Sequence, residues 1–216
     1  MSEPIRVDIW SDIACPWCYI GKRKFEQGVA SFGGAVEVEY HSFELSPDTP
    51  VDFEGNDVDF LADHRGVSRE QAQAMIDRVI GIAAGVGLAY DYDALKHTNT
   101  LRAHQVIHLA KRHGLQAAAV ERLFAAYFVE GRHLGRIDEL VDIAAEVGLD
   151  PAETRTVLER DALLPAVRED QQTAAQLGIN GVPFFVFDGK YGVSGAQDAT
   201  TFADVLRQVA DRRAAA

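Results

Sequence analysis

The sequence predicts an α/β fold in which one small sheet domain is divided by a long, all-helical insertion, and three observations predict it. Near the start, Ile5, Val7 and Ile9 alternate with Arg6 and Asp8, the period-two pattern of a strand with one buried face. From about Asp57 to Gly178 the pattern is helical. Beyond that, Pro183 to Asp188 is an apolar run of strand character. Residues 1–56 and 179–216 therefore read as the two halves of one core, and 57–178 as the insertion. With 216 residues, 47% of them hydrophobic, the chain is long enough to bury such a core.

Each element has a local reason. The first helix is expected from Pro16 to Phe32, because proline suits the first helical position, where its missing N–H would have no intrahelical partner. Val36, Val38 and Tyr40 then alternate with Glu37, Glu39 and His41, which completes a strand-helix-strand crossover. In the insertion, Ser68 and Gln71 form a capping box ahead of Ala72, Met75, Ile76, Val79, Ile80 and Ala83, which share a face. Further helices are expected at Thr98–His113, Leu115–Glu130, Ile137–Val147, Pro151–Asp161 and Pro165–Gly178. Gly114, Gly131 and Gly148 serve as stops, and Asp150-Pro151 as a capped start. Asp188-Gly189 offers a two-residue turn before a strand at Tyr191–Ser194, and Phe202, Leu206 and Val209 mark a closing amphipathic helix. Strand-helix-strand followed by strand-strand-helix is the element order of a thioredoxin core.

Chemistry is concentrated in Cys15-Pro16-Trp17-Cys18, which holds the only two cysteines of the chain. Cys15 falls at or beside the N-cap of the first helix, where unpaired N–H groups and the helix dipole favour thiolate over thiol. That makes Cys15 the candidate nucleophile. Cys18 is one helical turn away, within reach of the same sulfur, and is the candidate resolving thiol. A structural zinc would need four ligands; no second pair of this kind exists, and the His104 and His108 pairing lies far downstream. A purely structural disulfide would gain little, because so short a loop removes little unfolded-state entropy. No metal is expected.

The formal net charge of −12 argues against nucleic acid and anionic membrane as partners. The N-terminus runs straight into the first strand without the basic and apolar stretches of a secretory signal, and no apolar run approaches the ~20 residues of a membrane helix. A cytoplasmic setting is the expectation, and there a cysteine pair is more often catalytic or metal-binding than structural.

Six segments carry a resemblance along nearly the whole chain: DIACPWCYIG at Asp12–Gly21, SFELSP at Ser42–Pro47, NTLRAH at Asn99–His104, LFAAYFVEG at Leu123–Gly131, GINGVPFFVF at Gly178–Phe187 and VSGAQ at Val193–Gln197. In this order and at these separations the chain resembles the DsbA-like thioredoxin superfamily, in its FrnE-type branch. The resemblance implies a thioredoxin core with an inserted helical domain. It also implies a cis peptide bond before Pro183, facing the cysteine pair, with Val182 offering backbone hydrogen bonds to a bound thiol-bearing peptide or glutathione.

Around that centre, Pro16 and Trp17 set the surface beside the sulfurs; Trp17 reads equally as a substrate contact or as a packing residue. Asp12 reads first as a loop cap and second as an influence on the thiolate. His104, on the flank of its helix's apolar stripe, is either a polar wall of the cleft, as the resemblance suggests, or a structural histidine, with the second reading ahead. His108 reads as solvated surface. The expected activity is thiol-disulfide exchange on a disulfide- or thiol-bearing protein or small molecule, with no bound cofactor and with glutathione or a thioredoxin as reductant. The alternative is a glutathione-dependent isomerase or transferase on the same fold, as in hydroxychromene-carboxylate isomerases and kappa-class glutathione transferases. Those relatives usually carry serine in place of Cys15, and an acidic residue where this chain has Ala196 and Gln197, with Asp198 as a substitute.

Overall fold

A computed structural model of the chain describes residues 3–215. It divides into two compact units, one of residues 1–45 with 170–216, the other Ser46–Glu169. These boundaries differ from the expected 1–56, 57–178 and 179–216 at both ends of the insertion, and the downstream difference has a visible cause. There the second half of a helix belongs with the sheet, because the Asp170 carboxylate accepts the Ser42 N–H at 2.7 Å and Ala174 packs with Trp10 and Ile179.

In the first unit, β1 (Ile5–Ser11), α1 (Pro16–Phe32) and β2 (Val36–Ser42) are followed, after the insertion, by the end of α8 (Leu164–Gln176), β3 (Phe184–Phe187), β4 (Tyr191–Ser194) and α9 (Ala199–Ala214). The strands form one sheet in the order β2-β1-β3-β4, with β1 parallel to β2 and antiparallel to β3. Val7 pairs with Phe187 and Ile9 with Phe185, so these side chains share one face of the sheet. There Phe25 of α1 and Phe202 of α9 close over Phe185, with ring centroids 4.6 to 5.5 Å apart. Gly28 permits that closure: a Cβ at this position would lie 2.7 Å from the Phe202 Cβ and 2.8 Å from the Ala199 carbonyl oxygen. The hairpin differs slightly from expectation. Asp188 and Gly189 both have positive φ, but Phe187 pairs with Tyr191, which leaves Lys190 as an extra residue in the connection.

The other face of the sheet carries a polar cluster. His41 stacks on Trp10 at 4.4 Å, and its ring nitrogens reach the Asp170 carboxylate at 2.8 Å and that of Asp8 at 2.9 Å. Arg6 bonds to Asp8 and Glu39. Burial opposes the charge on His41, but the hydrogen bonds and charges of Asp170 and Asp8 outweigh it and push its pKa up to about 9. Burial likewise opposes ionisation of Asp8, and the bonds from His41 and Arg6 outweigh it and hold the carboxyl below its usual value.

The second unit is helical, with α2 (Asp57–Arg65), α3 (Arg69–Ala84), α4 (Leu101–Arg112), α5 (Gln116–Phe128), α6 (Ile137–Glu146), α7 (Pro151–Glu159) and the start of α8. The Ser68 and Gln71 capping box and the Asp150 cap both form. The expected single apolar stripe on α4 does not hold: every residue from Ala103 to Ala110 is buried. Neighbours α5, α6 and α7 all pack on this helix, so its polar residues are enclosed with its apolar ones. His108, expected on the surface, is thereby 8% exposed.

Two outcomes follow from the sheet unit. Gly28→Ala should lower stability by about 1–3 kcal/mol in denaturant titration, because neither the helix backbone nor the β-carbon it meets can yield cheaply. Because the folded pKa of His41 lies above its ordinary 6.5, its contribution is complete below about pH 6.5 and is lost as pH rises through about 9. The loss should total roughly 3 kcal/mol, and a His41→Gln variant should lack that slope.

Candidate active site

Two segments far apart in the chain build the site. Cys15 is the N-cap of α1, in extended conformation (φ −89°, ψ 112°), with Pro16 at the first helical position. Its N–H donates to the Asp12 carbonyl at 3.1 Å, and its carbonyl accepts the Cys18 N–H at 3.0 Å. The expected capping of the sulfur by helix N–H groups is absent. The Cys15 thiol instead points to the Val182 carbonyl, 3.8 Å away, where it has an acceptor for its own proton.

Val182 is held there by the bond to Pro183, which is cis, and by the strand that follows. The Pro183 carbonyl accepts the Gly195 N–H at 2.8 Å. Below this segment lies Gly21, where a Cβ would stand 3.0 Å from the Pro183 Cγ and 3.4 Å from the Ala196 Cβ. Three of the motifs found in the sequence thus meet at one glycine. Nothing in the spacing of residues announced that contact; the signal available was that Gly21 closes the first motif.

Both cysteines are free thiols and both are buried, Cys15 at 4% and Cys18 at 2% exposure. Burial pushes the Cys18 thiol well up, and its hydrogen bond to Cys15 together with the charge that Cys15 carries when ionised pushes it further; hydrogen bonds from the Ser11 hydroxyl and the Asp12 N–H act the other way. Cys18 is therefore a neutral thiol donating to the Cys15 sulfur. Trp17 stands between them in the chain with its side chain 39% exposed.

Asp12 is almost fully buried, and its carboxylate fixes the loop: one oxygen accepts the Ala14 N–H at 3.3 Å and the other the Leu45 N–H at 2.8 Å. This is the capping role with a second tie, to the SFELSP segment, that the sequence did not suggest. His104 lies in the helical unit, on α4, 1% exposed. Asp198 is engaged by Lys24 at 2.8 Å, which holds its carboxyl below the usual range.

Among the described residues, Asp8, Glu39 and His41 offer ligand atoms within 4.8 Å of one another. Arg6 already occupies both carboxylates and His41 is doubly hydrogen-bonded and protonated at neutral pH, so this donor set has no lone pair left on the imidazole for a metal. The cysteines join no such group.

Residues 6–207 match the model of the DSBA-like thioredoxin domain. The chain belongs to that family. It is a DsbA-like oxidoreductase by family, and its sheet, helical insertion and cysteine pair accord with that membership. Among solved structures it is similar to a probable DsbA oxidoreductase, SCO1869 from Streptomyces coelicolor, with 44% identity and a TM-score of 0.89 over 94% of this chain and 89% of that one. It is 29% identical to YwbO of Bacillus subtilis (strain 168) over 205 residues, 94% of this chain and 96% of YwbO. The cytosolic disulfide reductase DsbM from Pseudomonas aeruginosa, solved with GSH, shares the fold at 17% identity and a TM-score of 0.67, over 95% of this chain and 99% of DsbM.

Removing the Asp12 carboxylate leaves two N–H groups in the loop without their acceptor. Asp12→Ala should therefore cost about 2 kcal/mol or more in thermal or denaturant unfolding, with Asp12→Asn, which keeps one carbonyl oxygen, falling between.

Proposed function

We propose that this DsbA-like oxidoreductase is a cytoplasmic thiol-disulfide oxidoreductase in which Cys15 is the nucleophile and Cys18 the resolving thiol. The observation that carries the assignment is the asymmetry of the pair. Cys15 stands at a helix start with its sulfur turned to Val182, while burial and the neighbouring Cys15 favour the neutral thiol of Cys18. Cys15, as thiolate, attacks a substrate disulfide; one substrate sulfur leaves and the other forms a mixed disulfide with Cys15. Cys18 then displaces it, and the pair closes to a disulfide that an external thiol reopens. No cofactor enters these steps.

Substrate docks beside Trp17, the exposed aromatic of the motif, and along Pro16, Val182 and Pro183, where the Val182 backbone serves an incoming chain once Cys15 has formed its covalent bond. His104 is the remaining proposed contact, carried by the resemblance of its motif. The reductant is glutathione or a thioredoxin. A glutathione-bound cytosolic reductase of the same fold supports both the partner and the compartment, and no helix among the described residues is long and apolar enough to cross a membrane. With Asp198 held by Lys24, glutathione is turned over as a co-substrate and not kept as a tightly held cofactor.

Insulin reduction or disulfide refolding should be lost in Cys15→Ser. Cys18→Ser should accumulate a mixed disulfide on Cys15, resolvable by gel and mass spectrometry, and used in cell extract it should identify the substrate. Activity of Cys15→Ser equal to that of the wild type would remove the assignment, and conjugation of glutathione that survives loss of Cys18 would support the transferase instead.

A further inference from the structure

The sheet runs in the order β2-β1-β3-β4, so among the described residues β4 has a strand on one side only. The Gly195 N–H donates to the Pro183 carbonyl at 2.8 Å, and Phe185 pairs with Val193 two positions earlier. Bonded pairs alternate along an antiparallel ladder, so Val193 turns its backbone groups to β3, while Gly192 and Ser194, both exposed, turn theirs outward. The Ser194 carbonyl accepts the Gln197 side-chain amide at 2.8 Å, which leaves the N–H and C=O of Gly192 and the N–H of Ser194 to a further strand. Beside this edge, Tyr191, Val193, Val205, Gln208, Val209 and Arg212 line a hollow of about 110 Å³ between β4 and α9, room for a branched aliphatic side chain. At its rim the exposed Arg212 lies 5.0 Å over the Tyr191 ring and donates to the Tyr191 hydroxyl at 3.0 Å. Arg207 and Arg213 on the same helix bond to Asp204 and Asp188, whereas Arg212 meets no carboxylate among the described residues.

We propose that the β4 edge is a docking surface for an extended segment of a partner protein, one that carries an apolar residue two positions before an acidic one. Added antiparallel to β4, the residue between those two faces Gly192 and exchanges both backbone bonds with it. Its two neighbours then point toward α9. The apolar one lies beside Val193 and enters the hollow; the acidic one lies beside Tyr191, where its carboxylate meets the Arg212 guanidinium. On the opposite face the Phe184 ring fills the space of a side chain at Gly192, a Cβ there lying 2.9 Å from its Cζ, so the middle residue rests on an aromatic surface. A second copy of this chain does not supply the acid: paired Gly192 to Gly192 it brings Val193 beside Tyr191, and paired Gly192 to Ser194 it brings Gly195. The surface uses neither cysteine and stands apart from the assignment of Cys15 and Cys18 given above.

The probe is a blocked peptide, acetyl-Thr-Val-Thr-Leu-Thr-Asp-amide, titrated to millimolar concentration into the isotope-labelled protein and followed by amide NMR. Saturable shifts should appear at Gly192, Ser194, Val209 and Arg212. Methylating the peptide nitrogen of the Thr between Leu and Asp, which faces the Gly192 carbonyl, should abolish them. Arg212→Gln, a change at an exposed side chain, should weaken the peptide about threefold to tenfold and leave its Asn analogue unaffected. Arg212→Glu should reverse the preference and favour the Lys analogue. Absence of saturable shifts at β4 overturns the proposal, as does equal binding by the wild type of the methylated peptide, of the Lys analogue or of the reversed order Asp-Thr-Leu. Concentration-dependent dimerisation of the protein alone, with broadening at the same amides, also overturns it and assigns the edge to a second copy.

Discussion

The register of β3 against β1 is the constraint on which the site depends. Trp10 lies opposite Phe184, which places Pro183 and Val182 just beyond the end of β1, where the chain turns through Asp12 into Cys15. A slip of one residue would carry the apolar set of β3 to the other face and withdraw Val182 from the sulfur. The bond between positions 167 apart in sequence is thus a product of sheet pairing and not of either segment alone. Gly21 completes the arrangement from below, since a Cβ there would press on the Pro183 Cγ at 3.0 Å and the Ala196 Cβ at 3.4 Å.

The two faces of this sheet hold in different ways. Phe25, Phe185, Phe187 and Phe202 make an apolar face whose shape is fixed by close packing, with Gly28 at its tightest point. On the other face Trp10 carries His41, and the charge on His41 joins Asp8 to Asp170. That face joins β2 to the part of α8 that belongs to the sheet unit. Its ion pairs make that face dependent on pH, whereas the apolar face is indifferent to it.

Much of this was legible in the sequence, and the limits have physical causes. Period-two alternation located β1 and β2, and proline, glycine and capping residues bounded most helices to within a few positions. Cys15 and Cys18 announced themselves by spacing, and Val182 and Pro183 by motif resemblance. What could not be read was anything set by strand pairing across the insertion. Gly21 beneath Pro183 and Asp12 tied to Leu45 are contacts that exist only once β1, β2 and β3 are side by side. His41 belongs with them, because its bond to Asp170 joins residues far apart in the chain and exists only once α8 lies beside β2. His108 was misjudged for the same reason on the helical side, where neighbours on several sides of α4 leave no solvent face for a period of 3.6 to reveal.

The division of labour between the two sulfurs is the claim that the whole architecture serves. Alkylation of the reduced protein across a pH series, with each cysteine followed by peptide mass spectrometry, tests it most directly. Label should accumulate on Cys15 while Cys18 stays unmodified to pH values well above the ordinary range of a thiol. Labelling of Cys18 at the rate of Cys15, or ahead of it, would contradict the account.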